Sequence, residues 1–128
     1  MMRRNISSNT IYEEQIGYSR AVRVGDVIEV SGTTATDGAE IIGKGNIYEQ
    51  TMFIFGKIEK ALKDAGAEMK DVVRTRMFVI DISRSDEVGR AHAHFFKEIK
   101  PAASMIEVKG FIHPDLLIEI EVTAIVTN

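Results

Sequence analysis

Glu119 and Glu121 stand two residues apart in Leu117-Ile118-Glu119-Ile120-Glu121-Val122, where acidic and apolar residues alternate. That period of two belongs to an extended strand and places both carboxylates on one strand face. A carboxylate held away from water there can act as a general acid or base. The competing reading is a cross-strand ion pair with Arg74 or Arg76, which share a face of another alternating run. The histidines are His92, His94 and His113. His92 and His94, two apart in a helical stretch, point in different directions, and the i, i+4 pair of a helical zinc site is absent. His92 reads as a residue at the core margin or as a base, His94 as solvated, and His113, beside Pro114, as part of a loop. Gly43-Lys44-Gly45-Asn46 leads into a helix, whose amino terminus attracts anions, but it lacks the spacing of a phosphate loop and reads more simply as a flexible turn. Met52-Phe53-Ile54-Phe55 reads as core packing. With no cysteine there is no disulfide, thiolate nucleophile or sulfur-ligated metal, and no metal site is expected.

The 128 residues are 45% hydrophobic and 27% charged, ordinary globular composition that predicts a single domain over 1–128. A net charge of −3 offers no global positive field to nucleic acid or anionic lipid. Arg3 and Arg4 are followed by the polar stretch Asn5 to Thr10, so no signal-peptide core follows them. No stretch approaches the roughly 20 apolar residues of a membrane span. A cytoplasmic protein without nucleic-acid or membrane partners is therefore expected.

The elements that must position these residues follow from periodicity. Tyr18 to Val24 and Val27 to Ser31 read as a hairpin about Gly25-Asp26. Asn46, with Glu49 three positions on, caps a helix that carries Ile47, Thr51, Ile54, Ile58, Leu62 and Ala65 on one stripe and stops at Gly66. A strand over Val72 to Ile80 places Val73, Thr75, Met77 and Val79 on one face and Arg74, Arg76, Phe78 and Ile80 on the other. A second helix begins near Ser83 or Ser85, carries Val88, Ala91, His92, Phe95 and Ile99, and ends before Pro101. Strands over Ser104 to Val108 and Leu117 to Val126 close the chain. The order ββαβαββ predicts an α+β two-layer sandwich with both helices on one face of a mixed sheet. The other face, with Arg74, Arg76, Glu119 and Glu121 beside Phe78 and Ile125, is either solvated or a subunit contact.

Several segments in order resemble the RidA family, also called YjgF: Gly17-Tyr18-Ser19-Arg20-Ala21, Val30-Ser31-Gly32, Ala61-Leu62 through Ala65-Gly66, Asp71-Val72-Val73, Phe78-Val79-Ile80-Asp81, Phe95-Phe96, Pro101-Ala102-Ala103-Ser104 and Ile118-Glu119-Ile120-Glu121. The resemblance implies a chorismate-mutase-like fold, a homotrimer with its sheets inward, and a small-molecule pocket at each subunit interface. It also implies hydrolysis of enamines and imines to 2-keto acids and ammonia without a cofactor or metal. Tyr18, Ser31, Gly32 and Glu119 match residues that line or serve that pocket, with Glu119 orienting water if hydrolysis is retained. The family motif Pro-Ala-Arg-Ser is here Pro101-Ala102-Ala103-Ser104, so the guanidinium that would hold a substrate carboxylate by two parallel hydrogen bonds is missing. Gly89 stands where asparagine is usual and Thr33 where glutamine is usual, which resembles subgroups without efficient deaminase activity. Arg20, Arg76 and Arg90 also depart from the typical pattern. Arg76 either supplies positive charge to the interface or pairs with a glutamate. Because Pro101 and Ser104 keep the motif's frame, an arginine at position 103 is expected to face Tyr18, Ser31 and Glu119. Nuclease activity is an older label of the family, and no basic groove supports it here.

Overall fold

The computed structural model describes residues 1–127. In chain order the elements are β1 (Arg3–Ile6), α1 (Ile11–Ile16), β2 (Ala21–Val24), β3 (Val27–Thr33), β4 (Thr36–Asp37), β5 (Glu40–Ile41), α2 (Ile47–Asp64), β6 (Val72–Val79), α3 (Ser85–Phe96), β7 (Ala102–Glu107) and β8 (Ile118–Ile125). Six strands form one sheet in the order β1-β2-β3-β8-β6-β7, and β4 and β5 make a small separate hairpin. Only β6 and β7 run parallel, joined through α3, while every other neighbouring pair is antiparallel.

Local chemistry explains the main boundaries. Gly25, at φ +60°, turns β2 into β3. The Asn46 side chain accepts the Glu49 N–H at 3.0 Å and starts α2. At the other end Gly66 takes φ +83°, and the Ala67 N–H reaches back to the Leu62 carbonyl at 2.8 Å, closing the helix. The face of α2 carrying Ile47, Ile54, Phe55, Ile58 and Leu62 is fully buried. It packs on β3, β8 and α3. Ile118, Ile120, Val122 and Ala124 of β8 line the same core, and their alternation with Glu119, Glu121, Thr123 and Ile125 is as expected. The core thus lies between one sheet face and the α2–α3 pair, and the two-layer α+β expectation stands.

Several details differ from the sequence reading. β1 and α1 precede the expected elements, and β1 extends the sheet by pairing with β2. Tyr18 to Arg20 lie outside β2, and β7 begins at Ala102. Val73 is exposed instead of core-facing, because a bulge between Val72 and Arg74 lets Val72 take the buried place. α3 ends at Phe96, whose ring is fully buried, while Phe95 is only partly covered and Ile99, also partly covered, lies beyond the helix.

Candidate functional site

Glu119, Ser31, Gly32, Arg20 and Tyr18 come together on the sheet face away from the helices. The caps of α1 deliver Tyr18: the Thr10 hydroxyl accepts the Glu13 N–H at 3.4 Å, and Gly17 at φ +88° ends the helix immediately before the tyrosine. Arg20 is then held by its backbone, its N–H on the Ile6 carbonyl at 2.8 Å and its carbonyl accepting the Ser31 N–H at 3.0 Å. An irregularity of register between Val30 and Thr33 turns β3 past Ser31 and Gly32. The Ser31 hydroxyl donates to the Ser19 carbonyl at 2.6 Å, tying the Tyr18 segment to β3. At Gly32 the Glu119 carboxylate lies so close that a Cβ would stand 2.8 Å from Glu119 Oε2. Glycine is what admits the carboxylate here.

Burial pushes Glu119 above the ordinary carboxylate range, Glu121 beside it pushes the same way, and Arg20 opposes them. The site therefore holds a carboxyl group inclined to keep a proton next to a guanidinium, an arrangement able to donate to an oxygen or accept from a water. Glu13 is committed elsewhere. Its burial would raise its pKa, but hydrogen bonds from Ser8, Ser7 and Thr10 together outweigh that and hold it low. Tyr18 and Ser19 also border a shallow cleft of about 550 Å³ against α1.

Next along the same face, Arg76 lies opposite Glu121 on β8 and beside Ser104 on β7. Its Nη1 stands 3.9 Å from Glu121 Oε1, with both side chains about 40% exposed, so the expected carboxylate neighbour is Glu121 in a loose, solvated pair. Arg74 Nη2 donates to Ser104 Oγ at 2.7 Å. Ala103 is placed differently. It pairs in register with Thr75, which is buried against α3, so Ala103 shares the helix-side face at the sheet edge. Within one chain it cannot face Tyr18, Ser31 and Glu119, because the side chains of neighbouring strand residues alternate between faces. The Thr75 hydroxyl lies 3.0 Å from His92 Nε2, and the His92 ring packs against Phe55 and Phe96. Burial lowers the His92 pKa, which makes it a neutral residue of the core margin. Gly89, one turn earlier on α3, has open space where a side chain would emerge. His113 lies in the β7–β8 loop, its Nδ1 accepting the Asp115 N–H at 3.0 Å.

Sequence reasoning noted Arg20 only as unusual and did not assign it to the site, because its partner is the carbonyl of Gly32 across the hairpin. Its position one residue after the Tyr18-Ser19 pair was the available signal. Among the described residues no cluster of three His, Asp or Glu side chains is placed to share a metal ion, and no helix is long and apolar enough to cross a membrane.

The profile of the Endoribonuclease L-PSP family matches residues 10–126. An uncharacterised protein of Streptomyces coelicolor is 38% identical over 121 residues, covering 94% of this chain and 90% of the relative. The 3-aminoacrylate deaminase RutC of Acinetobacter baylyi is 30% identical over 104 residues, covering 80% of this chain and 82% of the relative. The crystal structure of Rv2704, a member of the YjgF/YER057c/UK114 family from Mycobacterium tuberculosis, superposes with a TM-score of 0.89 at 46% identity, covering 98% of this chain and all of the other. Profile, relatives and fold agree along almost the full length, and the chain belongs to the Endoribonuclease L-PSP family, the RidA/YjgF superfamily.

Proposed function

We propose that the protein is a cytoplasmic homotrimer that binds a small metabolite in pockets between subunits and is a poor imine deaminase. The observation that carries this reading is the separation of two half-sites. Tyr18, Ser31, Gly32 and Glu119 lie on the open face, whereas Ala103, on the edge strand β7, lies on the helix side. One chain cannot bring the two together; a second chain that sets its open face against the β7 edge can. That face offers an interface of mixed character, with Phe78, Val27 and Ile125 beside Arg76, Glu121 and Glu29. Ser104 and Arg76 occupy it too and are the ligand contacts that this reading draws from β7 and β6.

The weak catalysis follows from Ala103. Loss of a bidentate carboxylate anchor removes positioning and charge stabilisation together, of order several kcal/mol of transition-state binding. The second reading is an enamine or imine deaminase, favoured by the RutC relative, with Glu119 orienting the attacking water. A nuclease is not proposed despite the family's name, because the chain carries net charge −3 and the open-face arginines are interleaved with glutamates.

Two measurements test the proposal. Light scattering at micromolar concentration is expected to give the mass of three chains; a monomer would remove the pocket. Ammonia release from freshly generated 2-aminoacrylate is expected to fall far below that of an active family member, and a matching rate would establish the deaminase reading instead.

A further inference from the structure

Arg20 and Arg74 are the open-face cations with an unmet donor among the described residues, and of the two Arg20 lies beside Tyr18 and Glu119. Its Nη2 donates to the Gly32 carbonyl at 2.6 Å, and the guanidinium carbon lies 6.0 Å from the Tyr18 ring centroid. Its Nε is buried without a partner. A buried donor left unpaired on a cation is costly, and an acceptor on an entering ligand would relieve that cost. Arg20 and Glu119 flank the same residue, since Gly32 takes the arginine's hydrogen bond on its carbonyl and the glutamate's carboxylate against its Cα. The neighbouring cation Lys57 is committed, its Nζ donating to the Thr34 carbonyl at 3.0 Å, the Thr36 carbonyl at 2.9 Å and Thr36 Oγ1 at 3.3 Å. Glu13, whose charge Arg20 also feels, is held by Ser8 and Thr10.

We propose that Arg20 is the anion anchor of the Tyr18–Glu119 site, binding the carboxylate of a small organic acid while Glu119 takes up one proton as that anion enters. The inference rests on the ligand-pocket reading above and adds the charge class of the ligand. A single guanidinium cannot neutralise two carboxylates in a half-buried site, so one of them protonates. Glu121 on the same strand face repels further negative charge, and Arg76 is turned toward Glu121. The proton therefore goes to Glu119, which burial already inclines to hold one. One anion and one proton enter together, leaving the net charge of the site unchanged. The protonated Glu119 then donates to an oxygen of the bound acid. The Ser31 hydroxyl, its proton on the Ser19 carbonyl, offers only acceptor lone pairs.

Pyruvate is a suitable probe, followed by titration calorimetry between about pH 5 and about pH 8. Affinity is expected to fall as pH rises, approaching tenfold per pH unit where Glu119 is ionised in the unliganded protein, with uptake of about one proton read from the buffer dependence of the heat. Arg20→Gln is expected to weaken pyruvate at least about tenfold, Arg20→Lys to recover part of that, and Glu119→Gln to bind with the pH slope abolished. Unchanged affinity in Arg20→Gln, or tighter binding of uncharged pyruvamide than of pyruvate, would overturn the anchor. A pH-independent wild-type affinity would overturn the proton uptake. Mass is read on the same samples: a trimer that ignores millimolar pyruvate overturns the anchor alone, whereas a monomer that binds it through Arg20 overturns the intersubunit pocket alone.

Discussion

The two faces of β8 obey different rules. Ile118, Ile120, Val122 and Ala124 are at most 1% exposed beneath the helices, while Glu119 and Glu121 are half-buried on the other side and Ile125 is 37% exposed. The helix-side face is set by removal of apolar area from water, which is non-directional and tolerates any well-packed set of hydrophobes. The open face is set by particular approaches: a carboxylate against a glycine, a guanidinium against a carbonyl, a hydroxyl against a carbonyl. Changes on the first face should therefore cost stability, and changes on the second should cost binding.

The largest expected effect tests the first half of that contrast. Phe55 is fully buried with ring contacts to His92, Phe95 and Phe96 at 5.2 to 5.8 Å. Phe55→Ala should lower unfolding free energy by about 3–5 kcal/mol in urea titrations. A loss below about 1 kcal/mol would show that the α2–α3 seam is not what holds the sheet. Gly32→Ala should cost less stability, about 1–3 kcal/mol, because only the Glu119 side chain must move. Its effect on pyruvate affinity should exceed its effect on melting; the reverse order would place Gly32 with the core residues.

Ala103→Arg sharpens the contrast from the other wall. If a neighbouring subunit brings its open face to this edge, the new guanidinium should raise ammonia release from 2-aminoacrylate, or affinity for 2-keto acids, by roughly tenfold, about 1.4 kcal/mol. No gain in a proven trimer would mean that the two half-sites do not meet.

The smallest effect is electrostatic. Glu119 has a folded-state pKa above its ordinary value of 4.5, so over the window above 4.5 the unfolded chain has released a proton that the native chain retains. Stability consequently falls as pH rises from 4.5 toward the folded value, and the penalty is complete above it. Glu119→Gln removes that penalty, so its melting temperature should gain on wild type through this window and show no further pH-dependent gain below it. A difference that is the same at every pH would refute the assignment.

How much of this was legible in the sequence varied with the range of the interactions. The Gly25-Asp26 turn, the Asn46 cap, the Gly66 stop and the alternation of β8 are local, each decided within a few residues, and each appears where the pattern placed it. β1 was not legible, because Arg3-Arg4-Asn5-Ile6 has no apolar alternation and becomes a strand only by pairing with β2. α1 leaves a trace in Thr10 and Glu13, the spacing of a capping box, but its 6 residues are too few to show a helical apolar stripe.

By itself, then, the sequence determined the order of the main elements, which face of each is apolar, and that Ala103 stands where the family motif has arginine. Tertiary structure alone decided the bulge that exposes Val73, the face taken by Ala103, and the meeting of Arg20 with Gly32 and Glu119. The physical reason is that periodicity assigns faces only relative to a strand's own axis. Register against a neighbouring strand, which one inserted residue shifts, determines which side chains finally share a site.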